Sequence, residues 1–218
     1  DTWVFGHPKG MVTLFFTEMW ERMSFYGMRA LLVLYMTAAV DSTFNPGMGL
    51  SSEAAQAIYG IYVGMVYFMV IPGGWLADNI LGHQKAVLIG AIIIAMGHIT
   101  LAIPLSETFI RGLALVVIGT GLLKGYISTI VGKLYKEGDT RIQAGYTIFY
   151  MSINIGSALG FLVVAWLGEK IGWHWGFGAA GIGMIFGVMQ YIFFKRLLGE
   201  AANQPNAMPA AQRNGYLK

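Results

Sequence analysis

Cysteine is absent from the 218 residues, which excludes disulfides, thiol catalysis and cysteine-based metal sites together. Charge is nearly as scarce. Only 11% of residues are Asp, Glu, Lys or Arg, against about 25% in a soluble domain, so an ordinary water-soluble surface is excluded too. The net charge of +3 comes without a Lys/Arg-dense stripe to neutralise phosphates, which leaves out nucleic acid as a partner. No Gly-x-x-x-x-Gly-Lys loop offers a nucleotide site, and no His/Glu cluster has zinc spacing. Ser128, in "YISTIV", lacks the glycine-flanked turn and paired histidine of a six-span serine protease. The chain is expected to be no enzyme and to need no metal or cofactor.

What is present is apolar length: 56% of residues are hydrophobic and thirty are glycine. Six segments can cross about 30 Å of hydrocarbon at roughly 1.5 Å per residue, near 11–39, 54–77, 86–105, 110–132, 143–167 and 175–194. The first exceeds the ~7–15 residues of a cleaved signal core and is expected to stay as a span. These six form one bundle over 1–198, an all-α membrane protein, and 199–218 reads as a flexible tail or linker. Loop cations set the orientation. Lys9, Lys85, Lys133, Lys136, Arg141, Lys195, Arg196, Arg213 and Lys218 fall on one side; Arg111 and Lys170 fall on the other. The chain is thus expected to be multi-pass in the cytoplasmic membrane, with both ends cytoplasmic and the lipid bilayer as a partner. Gly60/Gly64, Gly121/Gly125, Gly156/Gly160 and Gly183/Gly187 are small residues four apart, which read as close helix packing.

One span breaks the apolar rule. "FFTEMWERMSFYGMRALLVLY" carries Glu18, Glu21, Arg22 and Arg29, each costing some ~2.5–3.5 kcal/mol at a helix centre on insertion scales. At about 100° per residue they fall at roughly 0°, −60°, 40° and 20°, on one face. Glu18 and Arg22 are i,i+4 in the favourable order, and Tyr26 flanks the same face. Lys124 adds a second buried cation within "LALVVIGTGLLKGYISTIVG". A structural ion-pair network is the competing reading. Buried pairs often only match apolar packing in energy, however, and three cations here face two acids. A water-filled transport cavity, with carboxylates that exchange protons, answers that imbalance better.

"ExxER" followed by "SFYGMR" resembles the first-helix motif of the proton-dependent oligopeptide transporters, a branch of the major facilitator superfamily. "GGWLADNILGHQKAVLIGAIIIAMGH" (73–98) and "LLKGYISTIVGKLYKEGDTRIQAGYTIFYMSINIGSALG" (122–160) resemble two further signatures of that family, in its order. The resemblance implies the amino-terminal six-helix half of the carrier fold, made of two inverted three-helix repeats. It implies proton coupling at Glu18, Glu21 and Arg22, with protons as the coupling ion. It implies peptide contacts by Arg22, Tyr26, Arg29, Tyr67, Lys124 and Asn154, and a gating role for Asp78 near Lys85, for which helix capping is the plainer alternative. Phe25 stands where a tyrosine is usual, Gly125-Tyr126 where Pro-Asn is usual, and Asn79 where an arginine is usual.

The function implied is symport of di- and tripeptides, in company with a carboxy-terminal six-helix half. A relative carrying nitrate or another anionic solute is an alternative, and an oligomeric six-span ion channel is an alternative from another class. His98 is expected to pack or bond to backbone rather than relay protons. His7, His83 and His174 are expected to be solvated, and Trp75, Trp166, Trp173 and Trp175 to anchor at the interfaces.

Overall fold

The computed structural model describes residues 6–202; most of the tail expected over 199–218 lies outside the described residues. Six long helices build it: α1 Gly10–Thr37, α2 Ser52–Leu81, α3 His83–Ala102, α4 Ser106–Lys133, α5 Ile142–Lys170 and α6 Trp173–Phe194. A 3-10 stretch, Lys195–Ala202, continues α6. Five of the six are long and apolar enough to cross a membrane. α1 has the length, at 28 residues, and falls short only because its ionisable residues dilute its apolarity.

The main helix contacts are α1 with α5 and α6, α4 with α2 and α3, and α3 with α6. Exchanging α1–α3 for α4–α6 turns the first pair of contacts into the second and maps the last onto itself. Three crossings are an odd number, so the second triplet enters from the opposite face. The bundle is therefore two inverted three-helix repeats.

α2 departs from a plain rod twice. Pro72 has no N–H to offer Phe68, and the helix slackens to a turn at Met69. Its last turn, Ala77–Leu81, is π-helical and stops at Gly82, whose φ of 79° suits glycine. α5 carries a second π-helical stretch, Gly160–Ala165. Neither was legible from apolar periodicity.

Glycine decides the crossings. A Cβ on Gly156 would lie 2.9 Å from Arg22 Cβ, and one on Gly160 would lie 2.7 Å from the Met23 carbonyl oxygen. α5 therefore seats against α1 at its charged turn. Gly183 and Gly187 meet Met23 and Trp20 across the α1–α6 contact. Gly121 backs onto Met69, while Gly125 makes only ordinary contact with Val70. Gly60 and Gly64 correct the packing expectation, because no described atom lies within 4 Å of a Cβ there. The tight α3–α4 crossing instead uses Gly90 and Gly97 against Gly119 and Gly112, a spacing of seven that a search at four overlooks.

The apolar core is divided. One cluster joins Met28, Leu31, Leu32 and Met36 to Leu101, Phe109, Leu113 and Phe177. The other joins Met11 and Leu14 to Ala86, Val87, Ile130, Val131 and Tyr191. Between them lies a seam, at 14–23 in α1, 95–101 in α3, 117–123 in α4 and 180–184 in α6. Buried polar atoms without a hydrogen-bond partner gather there among the described residues: Glu18 Oε2, Glu21 Oε1, Arg22 Nη2, both ring nitrogens of His98 and Thr120 Oγ1.

Candidate functional site

The seam is organised around Arg22. Its Nε lies 3.1 Å from Glu18 Oε1 and also donates to the Glu21 carboxylate, so one guanidinium holds both acids. The Phe25 and Tyr26 rings flank it, with centroids 5.0 and 5.8 Å from Cζ. All three charged residues are buried, with Glu21 fully so. This corrects the expectation that they line an open cavity. Gly156 brings α5 down over Arg22, leaving no room for solvent on that side.

Beyond this clamp, Tyr26, Arg29 and Lys124 are half-buried. Lys124 Nζ sits 4.4 Å from the centre of the Tyr67 ring, a cation–π geometry. Its charge is close enough to act on the Glu18 carboxylate. Tyr67 itself is 61% exposed. Arg29 donates to the hydroxyl of Tyr59 and lies 5.4 Å from its ring centre.

Sequence reasoning passed over Tyr59 and Tyr62. The Tyr62 hydroxyl is buried without a hydrogen-bond partner among the described residues, and the charges of Glu21, Arg22 and Arg29 all reach it. Their signal is the spacing of Ala55, Tyr59, Tyr62 and Val66 along the inward stripe of α2. Asn154 does not join the cluster: it is exposed and its Nδ2 donates to the Tyr150 carbonyl one turn back, at 3.3 Å.

A second polar group closes the end of the bundle where α2 meets α3. His83 Nε2 lies 3.0 Å from Asp78 Oδ1, and Lys133 Nζ lies 3.3 Å from His83 Nδ1. The His83 ring stacks on Tyr126 at 4.3 Å, and the Tyr126 hydroxyl donates to the Gly74 carbonyl at 2.6 Å. The π-helical turn aims Asp78 across the corner toward His83, with Lys133 behind it.

Of the three histidines expected to be solvated, two are buried and His174 is half-buried. His83 and His7 are buried, and His7 Nδ1 pairs with the Tyr135 hydroxyl at 2.8 Å. His174 Nδ1 meets the Leu101 carbonyl at 3.1 Å. His98 is fully buried and bonds to no described backbone group. Trp75, Trp166 and Trp175 are exposed, but Trp173 is buried, its Nε1 donating to the Asn45 carbonyl at 3.0 Å. In the α4–α5 loop, hydrogen bonds from Arg141 hold the Asp139 carboxyl down at about 2, and burial pushes the Tyr135 hydroxyl up.

Long apolar helices, a repeat-symmetric bundle and an ionic layer between two apolar clusters define a multi-pass membrane protein built around a polar interior. The sequence profile of the POT family matches residues 84–216, and the chain belongs to that family. It is 50% identical over 188 residues to a peptide transporter, YePEPT, of Yersinia enterocolitica, covering 85% of this chain and 36% of that protein. It is 44% identical over 217 residues to a di-/tripeptide transporter of Lactococcus lactis, covering 98% of this chain and 43% of that one. Among solved structures, the peptide transporter POT in complex with sulfate superposes with a TM-score of 0.92 at 47% identity, covering 99% of this chain and 44% of that chain. A POT family transporter in complex with 5-aminolevulinic acid gives 0.90 at 40% identity, covering 99% and 44%. The chain thus spans less than half the length of the relatives it matches.

Proposed function

We propose that the chain supplies the amino-terminal six helices of a proton-coupled symporter of di- and tripeptides in the cytoplasmic membrane. A carboxy-terminal six-helix half completes it, and both ends of this chain face the cytoplasm. The carrying observation is the clamp of Arg22 between Glu18 and Glu21 in the seam, with Lys124 beside it. Protonation of either carboxylate removes half of what holds Arg22, because a neutral acid attracts the guanidinium far less. Arg22 is then free to take a peptide group, and loss of the proton draws it back into the clamp. The carboxylates and the peptide therefore compete for one cation, and the proton tips that competition toward the peptide.

Lys124, over the Tyr67 ring, takes the peptide's carboxylate. Tyr26, Tyr67 and Arg29 add orienting contacts that tolerate varied side chains, and Asn154, apart from them on the exposed side of α5, joins them once the second half is in place. Asp78, with His83, latches the cytoplasmic end. The coupling ion is the proton, no cofactor is needed, and no covalent chemistry is performed. The names of the relatives support this reading of the cargo.

The test is dipeptide uptake by the complete carrier in proteoliposomes under an imposed proton gradient. Lys124→Ala should abolish it, and unchanged uptake would refute the assignment. Saturable, peptide-stimulated proton movement distinguishes a carrier from a channel, and competition by nitrate would identify the anionic alternative.

A further inference from the structure

Two neighbouring hollows share a rim. At the end of the bundle where α1 gives way to α2, a cavity of about 710 Å³ has Tyr35, Phe44 and Trp173 as walls and Asn45 and Ser106 as polar groups. Beside it a groove of about 480 Å³ follows α6 past Gly178 and Ala179, with Ala102 and Leu167 flanking it. Pro104, His174 and Trp175 line both, so the two are continuous. The outer face of α6 extends the groove with Ile182, Phe186, Met189 and Phe193, all apolar and exposed. No Asp, Glu, Lys or Arg is among the described residues that line either hollow.

His174 sets the polarity of the rim. Its Nδ1 lies 3.1 Å from the Leu101 carbonyl oxygen. A carbonyl accepts only from an N–H, so the neutral ring carries its proton on Nδ1 and Nε2 is a hydrogen-bond acceptor. Nε2 has no hydrogen-bond partner among the described residues and is not one of the enclosed polar atoms. The ring packs edge-on against Tyr35 and Phe177, at 5.5 and 6.3 Å between centroids, which fixes the direction of that lone pair.

We propose that these hollows bind a zwitterionic phospholipid of the phosphatidylethanolamine type, its headgroup in the cavity and one acyl chain in the groove. A lining without charge disfavours a headgroup of net charge, which would lose water and gain no counter-charge, whereas a zwitterion brings both signs with it. The ammonium donates to His174 Nε2, beside the exposed rings of Phe44 and Trp175. The Ser106 hydroxyl and the first amides of α4, which lack intrahelical partners, donate to the phosphate. Trp175, 70% exposed on the shared rim, marks the headgroup level of the membrane. The groove has room for a chain: a Cβ on Gly178 would find only the Ala102 Cβ within 4 Å, at 3.7 Å. The site stands apart from the clamp and does not depend on what the carrier transports.

Native mass spectrometry of the complete protein tests the proposal at about pH 8, where imidazole is neutral, with lipids of matched chains added in turn. Phosphatidylethanolamine should bind one to one, about tenfold tighter than phosphatidylcholine, whose nitrogen has no N–H to give. Phosphatidylglycerol should bind no better than phosphatidylcholine. The dimethylated form of phosphatidylethanolamine keeps one N–H and should bind like the parent lipid. His174→Asn retains a donor for the Leu101 carbonyl and removes Nε2, so it should erase the preference for phosphatidylethanolamine over phosphatidylcholine. Gly178→Leu takes the space of about two lipid methylenes and should weaken both lipids alike, about tenfold. Equal binding of the two lipids, a preference that survives His174→Asn, unchanged affinity in Gly178→Leu, or displacement by millimolar phosphoethanolamine would each overturn it. Should His174→Asn fail to fold, the methylated lipids decide on the parent protein alone. A single drop at the third methyl group supports the bond to His174, and an even loss with each methyl group counts against it.

Discussion

Arg22→Met is the most informative single change, because it isolates what the ionic seam costs and returns. The substitution leaves Glu18 and Glu21 buried with no cation between them, when Glu18 Oε2 and Glu21 Oε1 already have no hydrogen-bond partner among the described residues. Breaking a buried pair by removing one member costs about 3–5 kcal/mol. The lost contact with the Phe25 and Tyr26 rings adds about 0.5–2 kcal/mol. Replacing all three together behaves differently: Glu18→Gln, Glu21→Gln and Arg22→Met remove every charge of the clamp at once, leaving the half-buried Lys124 on the Tyr67 ring, and such swaps are commonly neutral. The triple variant should therefore recover most of the stability lost by Arg22→Met alone, while losing transport. Equilibrium unfolding in mixed micelles, followed by tryptophan fluorescence, measures both; Trp20 packs on Phe186 with ring centroids 5.6 Å apart and reports the α1–α6 contact. If Arg22→Met is as stable as the parent, or the triple variant is no better than the single one, the clamp is not the energetic centre of the seam.

Gly156→Ala should destabilise by about 1–3 kcal/mol in the same assay, since its methyl meets Arg22 Cβ and the Met23 backbone, whereas Gly60→Ala in this chain should be neutral or gain up to about 1 kcal/mol of helix propensity. Asn45→Ala removes hydrogen bonds to the Gly168 carbonyl at 2.9 Å and from the Trp173 amide at 3.1 Å. It should cost about 1–3 kcal/mol and speed hydrogen exchange in the 41–50 loop. Asp139 should titrate near 2 by NMR and move up toward its ordinary 3.8 in Arg141→Gln. Its folded value is depressed, so its stabilising effect is present above the ordinary value and is lost as pH falls through about 2.

The charged face of α1 was legible because helical geometry depends on nothing but spacing. Four ionisable residues at one azimuth predict one another's company. The fold class followed from apolar length and short loops, which leave a bundle little topological choice. Partnerships between helices were not legible in the same way. Tyr59 and Tyr62 reach the cluster only because α2 turns the stripe of Ala55, Tyr59, Tyr62 and Val66 toward the bundle. The Asp78–His83 pair was hidden because a π-helical turn inserts one residue and rotates the chain beyond it. Glycine pairs carried the right chemistry, but the sequence does not say which faces find a neighbour. Gly156 and Gly160 do, while Gly60 and Gly64 look onto a face that no described residue covers.

The split core gives the molecule a waist. Each oily slab holds its own helix ends rigidly, while the thin ionic layer between them has little dispersion energy to resist tilting. Bending should therefore concentrate at mid-depth, and α5 places its wide π-helical turns, Gly160–Ala165, just beyond Gly156, against α1. A bundle made this way can flare at one mouth while its other mouth stays shut, with the charged layer as the fulcrum.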